Sequence, residues 1–226
     1  MPVPSPDDLI NIHTHGAVRC KGVFAIENLM LHEGRTPDDS ADAFSAGIHP
    51  WFLKEEDFAE QLKQLSLLAS DDRIVAIGEA GYDRRRGPDT ALQRRVFEAH
   101  AAIAAGAGKP LMIHCVKGYD DLWASMKSLK PSVPWIIHGF NGSTDQAIQL
   151  IGGGFYLSLW VKSVLNGSLD EVMRTVPADH IFLETDGFDV EVKTVYDRAA
   201  QGCNLSTAGL INTIHSNYQR LFCKSD

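Results

Sequence analysis

Eight short apolar, β-prone runs are spread along this chain, and five of them close on a histidine or a carboxylate. The runs fall at 9–14, roughly 23–27, 44–48, 74–78, 111–114, 135–138, 155–159 and 181–185. His13-Thr14-His15 closes Leu9-Ile10-Asn11-Ile12, and Glu79 follows Ile74-Val75-Ala76-Ile77-Gly78. His114 follows Leu111-Met112-Ile113, His138 follows Trp135-Ile136-Ile137, and Asp186 follows Ile181-Phe182-Leu183-Glu184-Thr185. Helical patterns lie between the later runs. Residues 57–69 carry Phe58, Leu62, Leu65 and Leu68 at helical spacing, and 89–105 carry Leu92, Val96, Ala99 and Ile103. Segments 144–151 and 169–176 read as shorter helices, and 206–222 as the last, with Ser206 at its N-cap.

Strands alternating with helices imply βαβ units and a parallel sheet. Eight such units predict an α/β fold, a distorted (β/α)8 TIM barrel. The distortion belongs at the front. Little room exists for a helix between the first two runs, and 28–43 is weakly patterned. No linker, low-complexity tract or internal repeat divides the chain, so 1–226 is expected to be one domain. In such barrels the functional face is the C-terminal end of the strands, which is where the six ligand-type residues fall.

Side chains two apart on a strand share a face, so His13 and His15 can chelate one ion. Glu79 offers two oxygens with several lone pairs and can contact two cations at once. His114 and His138 offer neutral nitrogens suited to Zn, Mn or Fe. Asp186 can bind metal and also take a proton from an attacking water. Each has an ordinary alternative: a half-buried polar pair, a strand-end histidine bonded to a carbonyl, an Asp-Gly turn. Their repetition at one end of strands 1, 4, 5, 6 and 8 favours a metal site. His49 in Gly47-Ile48-His49-Pro50-Trp51, Lys117 and Arg84 of Arg84-Arg85-Arg86 are candidate substrate contacts, since Arg grips phosphate in bidentate fashion. Asp83 is placed to orient a metal ligand from behind. His32, His100, His180 and His215 are set aside, because none lies at the ligand end of a predicted strand.

A net charge of −8 argues against broad, charge-driven binding to duplex DNA or acidic membranes. Bound divalent cations can nevertheless reverse the sign locally, so a phosphate-bearing substrate is compatible. Cys20, Cys115, Cys203 and Cys223 show no CxxC spacing, which points to reduced thiols and a cytoplasmic protein. The first residues lack the basic and apolar regions of a secretory signal, and no stretch approaches a membrane span.

Several blocks in order resemble one family. They are Asn11-Ile12-His13-Thr14-His15, Gly47-Ile48-His49-Pro50, Ile77-Gly78-Glu79-Ala80-Gly81-Tyr82-Asp83, Pro110-Leu111-Met112-Ile113-His114, His138-Gly139-Phe140-Asn141-Gly142-Ser143, Leu183-Glu184-Thr185-Asp186 and Asn217-Tyr218-Gln219-Arg220-Leu221-Phe222. The chain resembles the TatD family of metal-dependent deoxyribonucleases, within the wider amidohydrolase-like barrels. The resemblance implies a distorted barrel with one to three divalent metals that cleaves DNA, often trimming single strands from the 3′ end. It implies that His13, His15, Glu79, His114, His138 and Asp186 are metal ligands, with Glu79 bridging and Asp186 doubling as base.

The chain departs from the family pattern at Asn11, where Asp is usual. It departs again after Asp186, where Gly187-Phe188-Asp189 replaces a small residue, Pro and an apolar or aromatic one. The segment before the last helix is shortened to roughly 190–205.

The expected function is hydrolysis of phosphodiesters, in single-stranded DNA or at DNA ends, by water activated between two divalent ions (Zn, Mn, Mg or Fe). The alternatives are a small-molecule metallohydrolase of phosphate esters, lactones or amides on the same barrel, and a non-catalytic metal-binding homologue. DNA or a small phosphate ester is the expected partner; neither a membrane nor an obligate protein partner is inferred.

Overall fold

The computed structural model describes residues 1–223. Its strands are β1 (Leu9–Thr14), β2 (Val23–Met30), β3 (Ala43–Gly47), β4 (Ile74–Asp83), β5 (Leu111–Val116), β6 (Trp135–Phe140), β7 (Phe155–Leu159) and β8 (Ile181–Leu183). They form one sheet in chain order, and β1–β2, β3–β4, β4–β5 and β7–β8 pair in parallel. The helices are α1 (Phe58–Leu68), α2 (Thr90–Ala107), α3 (Tyr119–Leu129), α4 (Thr144–Gly152), α5 (Val161–Leu165), α6 (Asp170–Thr175), α7 (Val192–Gly202) and α8 (Thr207–Phe222). This is the expected (β/α)8 fold.

All eight expected strands are present, and the differences lie at their ends. β2 runs on to Met30, and β4 to Asp83 rather than Gly78. β4 continues because its register with β5 resumes after a bulge, with Ala80 opposite Ile113 and Asp83 opposite Val116. Glu79 therefore lies inside its strand rather than just past it, while β5 and β6 each run two residues beyond His114 and His138. β8 stops at Leu183, so Asp186 sits on the turn that follows. Helices α3, α5 and α7 are additions. Residues 15–22 join β1 to β2 without a helix, as the sequence spacing predicts.

Contacts gather the chain into two interleaved units. The first holds Asn28–Asp38 and Phe44–Trp135, together with Met1. Its strands are buried on both faces, which explains why Ile74–Ile77 and Leu111–Ile113 read as continuous apolar runs. Asp89 caps α2 by accepting from the Ala91 and Leu92 N–H groups, and Gly108 ends it in a left-handed conformation. The buried face of α2 carries Leu92, Val96, Phe97, Ala101 and Ala104. His100 on that face is fully buried, with Nδ1 2.7 Å from the Val96 carbonyl and Nε2 accepting from the Ile48 N–H at 3.0 Å. Burial drives the pKa of its ring down to about 4, although the Val96 bond pulls the other way.

The second unit holds Pro2–Glu27, Asp39–Ala43 and the residues from Ile136 on. The Tyr196 hydroxyl pins Ile10 at both its N–H (3.0 Å) and its carbonyl (2.9 Å). Tyr218 stacks on Phe222 and meets Phe24 edge-on. Ser206 caps α8 by accepting from the Gly209 N–H at 3.0 Å, as expected. Across the β1–β8 seam the Asn11 amide is used twice. Its Oδ1 accepts from the Thr185 N–H (3.0 Å), and its Nδ2 donates to the Thr185 hydroxyl (2.8 Å).

Candidate metal centre

In the first unit, β4 and β5 bring Glu79 and His114 together in the core. The bulge between Ile77 and Ala80 turns Glu79 inward and depends on Gly78, whose φ is +122°. A Cβ there would overlap the Met112 carbonyl oxygen. His114 Nδ1 stands 2.8 Å from Glu79 Oε1, and its Nε2 stands 3.1 Å from Asp83 Oδ2. The Trp51 indole also donates to Asp83 Oδ2, at 2.6 Å, and the Arg85 and Arg86 N–H groups donate to Oδ1. Burial pushes the Asp83 carboxyl up, but the bonds from His114, Trp51 and Arg85 outweigh it and hold Asp83 well below the usual carboxylate range. A carboxylate behind a histidine that faces a second carboxylate is the arrangement of a metal-ligating histidine and its orienting partner.

His49 reaches the same carboxylate, with Nε2 3.0 Å from Glu79 Oε1. Its Nδ1 accepts from the Trp51 N–H at 3.0 Å, so the neutral ring carries its proton on Nε2. His49 thus donates to Glu79 here, and with Glu79 and His114 it forms a buried group of donor atoms close enough together to hold a metal ion. Asn28 completes the surround. Its Oδ1 accepts from the Glu79 N–H (2.9 Å) and the Ser45 hydroxyl (3.0 Å). Sequence reasoning missed Asn28 because the second apolar run was ended one residue short of it.

In the second unit, His13, His15 and Asp186 converge. Asp186 Oδ1 is 3.6 Å from His13 Nε2 and 3.7 Å from His15 Nε2. Those separations exceed hydrogen-bond range. They sit close to the roughly 3.4 Å edge of a tetrahedron of ligands about 2.1 Å from a central ion. The donor set and its spacing fit a divalent ion. Asp186 and Gly187 both have positive φ (+49° and +73°), and this tight turn sets the carboxylate against the two histidines. The His138 ring lies 4.1 Å from that of His13, with its Nδ1 3.8 Å from Glu184 Oε1. Glu184, which the sequence did not single out, also accepts from the Gly139 N–H at 2.8 Å. Burial pushes its carboxyl up to about 7 against the lowering pull of His138.

The other expected contacts are placed less decisively. Arg84 is ion-paired to Asp121 at 2.7 Å, and Lys117 is exposed. The histidines set aside all have other neighbours. His32 stacks on Phe52, His180 on Tyr156, and His215 Nε2 lies 2.7 Å from the Asp8 carbonyl.

A (β/α)8 fold with histidine–carboxylate clusters on its strands is the architecture of metal-binding barrels. Residues 38–223 match the family described as TatD related DNase, and the chain belongs to that family. It is 31% identical over 147 residues to "3'-5' ssDNA/RNA exonuclease TatD" of Erwinia billingiae, covering 63% of this chain and 56% of that one. It is 28% identical over 212 residues to "Deoxyribonuclease Tat-D" of Schizosaccharomyces pombe, covering 83% and 66% respectively. The chain thus spans 56% of the length of the exonuclease relative. Among solved structures, a hydrolase TatD family protein from Entamoeba histolytica superposes with a TM-score of 0.78 at 18% identity, covering 97% of this chain and 99% of that one. The likeness establishes the barrel fold.

Proposed function

We propose that the protein hydrolyses phosphodiester bonds in single-stranded DNA, working from 3′ ends, with two divalent ions drawn from Zn, Mn, Mg and Fe. The observation that carries this is the convergence of His13, His15 and Asp186 at ion-sized separations in a TatD-family chain. In this reading His13, His15, His138 and Asp186 hold metal in the second unit, and Glu79 and His114 hold it in the first. Bound divalent ions supply Lewis acidity and bring a water near its pKa at neutral pH. Asp186 takes the proton from the attacking water on its carboxylate, which the Asp186-Gly187 turn holds beside His13 and His15. Asp83 holds the His114 ring in one orientation, and His49, proposed as a substrate contact, lies beside Glu79. Arg84 and Lys117 are proposed to meet the strand's phosphates. The four cysteines are free, which suits a cytoplasmic setting. No helix of the described residues is long and apolar enough to cross a membrane.

The test is digestion of 5′-labelled single-stranded DNA by metal-stripped protein resupplied with Mg²⁺, Mn²⁺ or Zn²⁺, with Asp186→Asn alongside. The expected result is a ladder shortening from the 3′ end that needs metal and is absent in the variant. Intact DNA under every metal, with turnover of a small phosphodiester, would move the assignment to a small-molecule hydrolase.

A further inference from the structure

The turn that positions Asp186 also throws Phe188 outward. Phe188 is 38% exposed and lies two residues beyond the proposed base. It does not stand alone. Trp160, immediately after β7 and only half-buried, meets Phe188 edge-to-face with ring centroids 6.5 Å apart. The exposed Lys162 places its ammonium 4.1 Å from the centroid of the Phe188 ring and 5.8 Å from that of Trp160. A cavity of about 640 Å³ opens against the same turn, with His15, Gly187 and Phe188 in its wall.

We propose that Phe188 and Trp160 form a stacking platform for a base of single-stranded nucleic acid, with Lys162 serving the adjoining phosphate. The proposal rests on the nuclease reading above and names how the substrate is held. Two aromatic faces with a cation between them are the elements with which proteins hold single strands regardless of sequence, because every base has a π-face. The chain's net charge is −8, and Lys162 supplies a cation at this edge for a strand's phosphate. The turn itself makes the platform possible. With Gly187 rather than a longer link, the aromatic ring follows the proposed base after a single residue, and Gly187 passes close beside His15. Preference among bases should be weak, since stacking reads no hydrogen-bonding edge.

The test compares wild type with Phe188→Ala and Phe188→Trp on a short single-stranded oligonucleotide and on its counterpart lacking bases at the two 3′-terminal sugars. Phe188→Ala is expected to raise KM about tenfold or more on the intact strand with kcat little changed, and Phe188→Trp to preserve KM. The abasic strand should already bind wild type that much more weakly and lose nothing further in Phe188→Ala. Fluorescence anisotropy on metal-free protein should show the same ranking. An unchanged KM in Phe188→Ala, or an equal loss on intact and abasic strands, overturns the platform. If wild type trims the strand but is indifferent to Phe188, only the platform falls. If wild type neither binds nor trims it, the nuclease reading falls as well.

Discussion

The Glu79–His114 pair and the His13–His15–Asp186 group use the same residue types but are held in opposite ways. Glu79, His114 and Asp83 are buried on adjoining strands, and each polar contact is within hydrogen-bond range. Asp186 rides on a two-residue left-handed turn, about a quarter exposed, with its histidines 3.6 and 3.7 Å away. The first arrangement is complete before any metal arrives. The donors of the second stand at ion-sized separations. Burial with a full set of bonds gives rigidity and ties the site to the stability of its unit. A turn with spaced donors gives a site whose chemistry can change without disturbing the fold.

The sharpest way to break that comparison is to neutralise one carboxylate in each group. Glu79→Gln and Asp186→Asn should each lower turnover by on the order of a hundredfold or more. Only Glu79→Gln should also lower stability, by about 3–5 kcal/mol, because it unpairs a buried charged cluster. Thermal unfolding followed by circular dichroism separates the two. A melting temperature that falls equally in both variants would show the groups to be equally embedded.

Acid tests the first unit by another route. His100 titrates near 4 in the fold against 6.5 as a free residue, so folding favours its neutral form. Its contribution is therefore fully present above pH 6.5 and is lost as pH falls from there toward 4, to a total of about 3 kcal/mol. Urea unfolding at stepped pH should show this decline in wild type and a shallower one in His100→Gln. Parallel curves would remove His100 as the cause.

The smallest effect sharpens the contrast within the first group. Asp83→Asn keeps the shape of the contact with His114 but removes its charge, and should weaken metal binding there by about 10–100-fold. Titration of metal-stripped protein with Zn²⁺ measures it. Unaltered affinity would mean that Asp83 serves the fold alone.

How far these features could be read in advance follows the same division. Strand-borne residues were legible because a buried parallel strand announces itself as an apolar run, so the positions of His13, Glu79, His114 and His138 along the sheet followed from the sequence. Helix α2 announces itself through the spacing of Leu92, Val96, Ala99 and Ile103, and α8 through Ser206, whose side chain caps it. Helices α3, α5 and α7 went unforeseen, whereas α1 and α6 were read from apolar spacing although they too lack a side-chain cap bond. Partners that act across the fold left no local mark. Asn28 beneath Glu79, Glu184 against His138 and the Trp51 indole on Asp83 each depend on contacts between separate strands and loops. Asn11, a departure from the family pattern, becomes intelligible only beside Thr185, where its amide both donates and accepts as a carboxylate could not.

That Asn11–Thr185 contact joins positions 174 residues apart, whereas Glu79 and His114 are separated by 35. Closing the longer loop costs about 1.4 kcal/mol more in chain entropy. It also imposes an order in time. As the chain is synthesised, Glu79 and His114 are available to pair before half of the remaining sequence exists, whereas His13 and His15 wait for Asp186. A chain cut short ahead of β8 carries the buried pair without its counterpart. The part of the centre proposed to move the proton is thus the last to be made.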